Sequence, residues 1–154
     1  MNEPIVDAPL LRPLALSHIG ITVADLDRSL QYYRQVLGFQ VIYDNQAEEG
    51  ADRVLIGLIA GTAVELVKKS GDAGLSRIKE INPDAIGFSC ITFSVPDVDE
   101  AYAALEAAGL ANMDPPVTLP VGFRLVFCRD PDGNLLELID LNGPKSLAEM
   151  ASEA

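Results

Sequence analysis

The strongest constraint on the fold of this chain is an internal repeat. The stretch SHIGITV at residues 17–23 returns in altered form as SCITFSV at residues 89–95. Both stretches alternate apolar and polar residues, which is typical of a half-buried β-strand. The offset of 72 positions that relates His18 to Cys90 also relates two later segments, VELV and LELI. One register therefore holds over separated segments, and the sequence predicts two similar modules in which Cys90 stands where His18 stands.

The first module is predicted to have the order βαβββ. After the first strand, Asp25 is a suitable N-cap for a helix whose apolar residues recur at steps of three and four, and Gly38 ends that helix. The helix is expected to cover the apolar side of the strand, which places His18 on the open side. Three further strands are predicted, at Phe39–Tyr43, Arg53–Leu58 and Ala63–Lys68.

The second module is predicted to repeat this order. A strand at Phe88–Val95 leads into a helix that begins at Pro96-Asp97, and strands at Leu125–Cys128 and Leu135–Leu141 flank the turn Asp130-Pro131-Asp132-Gly133. This turn does not match a calcium-binding loop, because Leu141 stands where the loop needs a carboxylate. The predicted organisation is an extended, proline-containing arm at 1–15, modules at 16–70 and 85–141, a linker at 71–84 and a tail at 142–154.

Two glutamates stand out because each lies inside an apolar strand. Glu65 occupies AVELV, and Glu137 occupies LLELI at the equivalent position of the repeat. A carboxylate in such a place normally protonates, pairs or binds a metal, although a strand-edge Glu can also be solvated or paired with Arg. If the modules pack about a pseudo-twofold axis, His18, Glu65, Cys90 and Glu137 converge on one cleft. These residues are a credible set of ligands for a divalent metal ion.

Charge and hydropathy exclude several other classes of protein. The formal net charge is −12 and the Lys and Arg residues form no cluster, which argues against nucleic-acid binding. No run of about eighteen apolar residues is present and the first residues do not match a signal peptide, so we expect no membrane span and a cytoplasmic location. The two cysteines, Cys90 and Cys128, are too few for a disulfide framework and fit a reducing compartment.

The stretches HIGITVADLDRSLQYYRQVLGF and RDPDGNLLELI, together with the paired βαβββ pattern, resemble the vicinal oxygen chelate superfamily. This superfamily includes glyoxalase I, methylmalonyl-CoA epimerase, extradiol dioxygenases, and fosfomycin- and bleomycin-resistance proteins. The resemblance covers about Leu16 to Leu141. It implies an α+β fold in which two tandem βαβββ modules form a mixed-sheet, cleft-bearing half-barrel, and it implies a homodimer.

The same resemblance suggests metal ligands and a reaction. Glyoxalase I uses a His, Glu, His, Glu set, and His18, Glu65 and Glu137 match three of its four positions. Cys90 occupies the remaining position, which is the third in this order. There it would ligate as a thiolate, leave a position to water, or mark a lost metal site. The second histidine of the extradiol dioxygenases is absent, which argues against their chemistry. The implied function is a metal-dependent isomerase or lyase that uses Zn, Ni, Mn or Fe.

In the implied mechanism, the substrate is a small molecule with vicinal oxygens that reacts through an enediolate-type intermediate. Glu137 is the first choice for the catalytic base and Glu65 is its counterpart. The competing interpretation is a non-catalytic binding protein, similar to bleomycin-resistance proteins, that sequesters a ligand without metal. The acidic net charge suits a cationic ligand, whereas the polar His18, Glu65 and Glu137 favour the enzyme.

Overall fold

The computed structural model describes residues 16–71, 88–119 and 122–140. These residues form two four-stranded mixed sheets, each accompanied by one helix, so the α+β class is confirmed. The predicted arm at 1–15, the linker at 71–84 except for its first residue, and the tail at 142–154 lie outside the described residues.

Each module follows the predicted βαβββ order. The first contains β1 (His18–Thr22), α1 (Leu26–Leu37), β2 (Gln40–Asp44), β3 (Arg53–Ile59) and β4 (Thr62–Lys68). The second contains β5 (Ile91–Val95), α2 (Val98–Ala107), β6 (Val117–Thr118), β7 (Arg124–Arg129) and β8 (Leu135–Asp140). The strand orders β1-β4-β3-β2 and β5-β8-β7-β6 are equivalent, and both sheets are open.

In each sheet the first strand of the module pairs in parallel with the last, while the other neighbours are antiparallel. The parallel pairs set the site, because they place Glu65 opposite Gly20 and Glu137 opposite Thr92. Residues paired in this way project from the same face of a sheet. The repeat seen in the sequence is therefore also a repeat in strand register.

Both helices begin at the predicted residues for a local reason. The side chain of Asp25 accepts a hydrogen bond of 2.9 Å from the backbone N–H of Arg28, and Asp97 does the same for Glu100. These bonds satisfy backbone donors that have no partner in the first turn of a helix. Helix α1 ends at Gly38, whose φ of 66° is a left-handed conformation that glycine adopts without steric cost.

The core is one cluster that joins residues of both modules. Ile21 and Val23 of the first module belong to it, as do Leu136 and Leu138 of the second, and all four are less than 9 % exposed. The apolar side of the first strand is thus covered, as predicted. The buried side of α1 is wider than the predicted apolar stripe, because Ser29 and Tyr32 are buried as well.

Two boundaries in the second module differ from the prediction. Strand β5 begins at Ile91, not Phe88, so Cys90 lies directly before the strand and not within it. Strand β6, which the βαβββ order requires but whose position was not predicted, consists of Val117 and Thr118 and pairs with β7. Two consecutive prolines, at 115 and 116, precede β6, and proline cannot donate a hydrogen bond to a sheet.

Candidate functional site

The first pair of candidate ligands lies on the parallel strands β1 and β4. His18 Nε2 is 3.5 Å from Glu65 Oε2, and the side chains are 45 % and 24 % exposed. The Ser17 hydroxyl lies 3.1 Å from the other ring nitrogen, Nδ1. Gly20, which is paired with Glu65 in the sheet, has no side chain, and a Cβ placed there would meet no atom within 4 Å. Both polar groups therefore reach open space on the same face.

The second pair occupies the equivalent place in the other module. Cys90 Sγ is 3.7 Å from Glu137 Oε2, and Cys90 is a free, partly exposed thiol. The Thr92 hydroxyl donates a hydrogen bond of 2.6 Å to the same carboxylate oxygen. In the second module a thiol and a hydroxyl thus lie beside the carboxylate. In the first module an imidazole lies beside it.

The structure brings the four predicted ligands together as two pairs and not as one group. Among residues 16–71, 88–119 and 122–140, no group of three or more His, Cys, Asp and Glu side chains is placed to hold a metal ion. The convergence of all four side chains on one cleft remains a prediction. Each parallel strand pair holds its own glutamate, and the two pairs belong to separate sheets.

Each pair nevertheless has the spacing of two ligands of one metal ion. A nitrogen and an oxygen bound at about 2.0–2.2 Å with a tetrahedral angle lie about 3.4 Å apart, and a sulfur at about 2.3 Å and an oxygen lie about 3.6 Å apart. The measured separations are 3.5 Å for His18 to Glu65 and 3.7 Å for Cys90 to Glu137. Imidazole, carboxylate and thiolate groups are all ligands of divalent transition metals. The residues fit a metal ion as two half-sites.

One apolar side chain flanks each carboxylate on its sheet. Ile56 is the partner of Glu65 on β3, and Phe127 is the partner of Glu137 on β7, and both are partly buried. A carboxylate among apolar neighbours makes stronger electrostatic contacts than one surrounded by water. Each carboxylate thus lies between an apolar partner on one neighbouring strand and Gly20 or Thr92 on the other.

A buried polar network joins the modules, and sequence reasoning did not identify it. Asp130, in the turn between β7 and β8, is 4 % exposed and accepts hydrogen bonds from Tyr33 Oη at 2.9 Å and from the backbone of Asp132 and Asn134. Asp130 also accepts a bond from Asn134 Nδ2. Burial, together with the negative charge of Asp130, raises the pKa of Tyr33 well above its ordinary value.

The same turn makes further contacts with α1. Asp132 accepts a hydrogen bond of 2.8 Å from Arg28 and one of 3.3 Å from the Ser29 hydroxyl. Tyr32 Oη donates to Cys128 Sγ at 3.7 Å, and burial raises the pKa of the Tyr32 hydroxyl and of the Cys128 thiol. One feature of the sequence indicates this network, because polar residues lie among the buried positions of α1. The turn thereby connects the first module to β8, the strand that carries Glu137.

Within the described part of the chain, no helix is long and apolar enough to cross a membrane. This agrees with the expectation drawn from hydropathy.

Comparison with known proteins places these features in a family. Residues 15–138 match the model of the Glyoxalase/Bleomycin resistance protein/Dioxygenase superfamily. An uncharacterised protein of Bacillus subtilis, YwkD, is 30% identical over 128 residues, which cover 82% of this chain and 96% of YwkD. The lactoylglutathione lyase of Pseudomonas aeruginosa is 31% identical over 152 residues, with 82% of this chain and 84% of the lyase covered.

A solved relative shows the same fold with a metal bound. A variant of the fosfomycin resistance protein FosX from Listeria monocytogenes, in complex with Mn(II) and 1S,2S-dihydroxypropylphosphonic acid, aligns with a TM-score of 0.65. The identity is 24%, and the alignment covers 91% of this chain and 99% of FosX. The equivalent modules, the strand orders and the family match agree, and the chain belongs to the Glyoxalase/Bleomycin resistance protein/Dioxygenase superfamily.

Proposed function

We propose that this protein is a metal-dependent isomerase or lyase of the glyoxalase type, acting on a small substrate with two neighbouring oxygens. The observation that carries the proposal is the recurrence of a donor pair at one register in both modules. His18 with Glu65 and Cys90 with Glu137 each have the spacing of two metal ligands. Relatives named as lactoylglutathione lyases support the reaction class, and the Mn(II) complex of FosX supports a divalent metal.

The four side chains have distinct proposed roles. His18, Glu65 and Glu137 hold the divalent ion, which is zinc, nickel, manganese or iron, and Cys90 adds a thiolate when that group is deprotonated. When bound, the metal supplies Lewis-acid polarisation of a substrate carbonyl. Glu137, with an oxygen free of the ion, would take the proton from the hydroxyl-bearing carbon next to that carbonyl and return it to the carbonyl carbon, while the proton of that hydroxyl would move to the carbonyl oxygen; Glu65 is the alternative base.

We propose that a second copy of the chain completes the site. The described residues of one chain contain no group of three or more potential ligands, and a second copy can supply the donor pair that each half-site lacks. A symmetric homodimer then contains two identical sites. If the first module of one copy meets the second module of the other copy, the twofold symmetry repeats that contact with the copies exchanged. We also propose a cytoplasmic location, which the free thiols of Cys90 and Cys128 support.

The first test measures metal content after purification without chelators, followed by loading with zinc, nickel, manganese and iron. We expect about one metal ion per chain in the wild type, since a dimer has two sites. We expect loss of that metal in His18→Ala and Glu137→Ala. Glu49→Ala is the matched control, because Glu49 is exposed in the loop between β2 and β3 and should leave the metal content unchanged. Absence of metal under every loading condition would reject the proposed function.

Mixing two variants tests the shared site directly. His18→Ala and Glu137→Ala are each expected to bind little metal alone. A heterodimer of the two contains one site with no altered residue and one site with both, so metal binding is expected to return to about half of the wild-type level in the isolated heterodimer and to about a quarter in an equal mixture that pairs at random. No recovery in a mixture that forms heterodimers would reject the shared site.

The metal-loaded wild type is then screened for solvent deuterium exchange into α-oxo thiohemiacetals and acyl-CoA thioesters.

The second candidate function is sequestration of a ligand without catalysis. The apolar neighbours of the carboxylates, Ile56 and Phe127, favour it because a binding cleft needs apolar surface and a few polar groups. This alternative predicts that a ligand binds equally well with and without metal. It also predicts that no proton exchange occurs on any metal-loaded sample.

A further inference from the structure

The two half-sites differ at one position that is not part of the predicted set of metal ligands. Thr92 and Gly20 are equivalent in the repeat, and each is the sheet partner of a glutamate. The Thr92 hydroxyl donates to Glu137 Oε2 at 2.6 Å, whereas Gly20 offers Glu65 no side chain. Glu137 therefore has a hydrogen-bond donor fixed beside it on the neighbouring strand, and Glu65 does not have that donor.

The length of this bond indicates a strong contact. Oxygen-to-oxygen distances of 2.5–2.7 Å are typical of a hydroxyl that donates to an ionised carboxylate. Threonine is also stiff about its first side-chain torsion, so a bond to its hydroxyl restricts the position of the acceptor. Cys90 contacts the same oxygen at 3.7 Å. Both neighbours thus approach Oε2, and in the described part of the chain Oε1 is available to another partner.

We propose that Thr92 is a positioning residue, which holds Oε2 of Glu137 at the ligand spacing from Cys90 Sγ and leaves Oε1 to the proton that is transferred. This inference rests on the proposed function, in which Glu137 is a metal ligand and the first choice for the base. It makes the two glutamates unequal. Thr92 and Cys90 both contact Glu137 before any ligand binds, whereas Glu65 is contacted by His18 and has no hydroxyl donor at the equivalent strand position.

The test compares three variants of the intact protein by zinc and manganese titration against a competing chelator. Thr92→Val removes the hydroxyl and keeps the shape, and we expect metal affinity to fall by about tenfold or more, as is typical when a residue that orients a ligand is lost. Thr92→Ser restores the hydroxyl and should restore the affinity. Thr22→Val, the same change at an exposed threonine of β1, should bind as the wild type does.

Two further readouts separate positioning from stability and from the proposed function. Thr92 is exposed, so the thermal midpoint of Thr92→Val should match that of Thr22→Val. Without metal, NMR couplings of the Glu137 side chain should report one rotamer in the wild type and averaging in Thr92→Val. Wild-type affinity in Thr92→Val, or equal averaging in both proteins, would overturn the role of Thr92. If the wild type binds no metal while its Glu137 is fixed by Thr92, the proposed function fails and the positioning of Glu137 stands.

Discussion

Replacement of Tyr33 by Phe tests the polar contact that joins the two modules. Tyr33 and Asp130 are both buried, at 0% and 4% exposed, and the Tyr33 hydroxyl donates to Asp130 at 2.9 Å. Every hydrogen bond described for the Asp130 side chain is one that it accepts, as expected of an ionised carboxylate. A hydrogen bond to a charged group contributes about 1.5–3 kcal/mol, so we expect Tyr33→Phe to lower the free energy of unfolding by about 2 kcal/mol.

The neighbouring tyrosine supplies a matched control. Tyr32 is also buried, but its hydroxyl donates to a sulfur, Cys128 Sγ, at 3.7 Å. Such a neutral contact contributes about 0.5–1 kcal/mol, so Tyr32→Phe should cost less than Tyr33→Phe. Urea unfolding followed by circular dichroism measures both variants, and for Tyr33→Phe the thermal midpoint should fall by about 4–8 °C. A loss in Tyr33→Phe that is no greater than the loss in Tyr32→Phe would refute the importance of the bond to Asp130.

Two further predictions concern pH and packing. Because the pKa values of Tyr32 and Tyr33 are raised in the folded protein, the folded state keeps protons that the unfolded state loses above a pH of about 10. The free energy of unfolding should therefore fall above that pH, by up to about 1.4 kcal/mol per pH unit for each tyrosine. In Tyr33→Phe it should fall less steeply. A pH series of urea unfolding measures this slope, and equal slopes in both proteins would contradict it. Gly57→Ala should destabilise the protein by about 1–3 kcal/mol, because the added Cβ would lie 2.4 Å from the buried ring of Phe39. Gly20→Ala, where a Cβ meets nothing within 4 Å, is the control and should unfold at nearly the wild-type urea concentration.

Local chemistry explains why so much of the fold was predictable. Asp25 and Asp97 cap helices by hydrogen bonds to residues three positions later, and Gly38 ends α1 through its own backbone conformation. The alternation around His18 predicts a strand because successive side chains point to opposite faces. The family match agrees with the stated resemblance. These features depend on neighbours in the sequence, so they can be read without knowing the tertiary structure.

The site residues were also candidates from the sequence, but their grouping was not. The shared offset of 72 positions selected Glu65 and Glu137 and related His18 to Cys90. An internal repeat shows that two places are equivalent, and it does not show whether they face each other. The structure holds each glutamate on a separate parallel strand pair, so the described residues form two half-sites.

What the sequence by itself determined was the pair of βαβββ modules, because periodicity, helix capping and turn formation act over a few residues. What only the tertiary structure decided was the set of contacts between distant residues. Thr92 beside Glu137 and Tyr33 beside Asp130 are separated by 45 and 97 positions, and the backbone brings them together through strand pairing and helix packing. Hydrogen bonds between side chains act over about 3 Å, so their partners are known only when the fold is known.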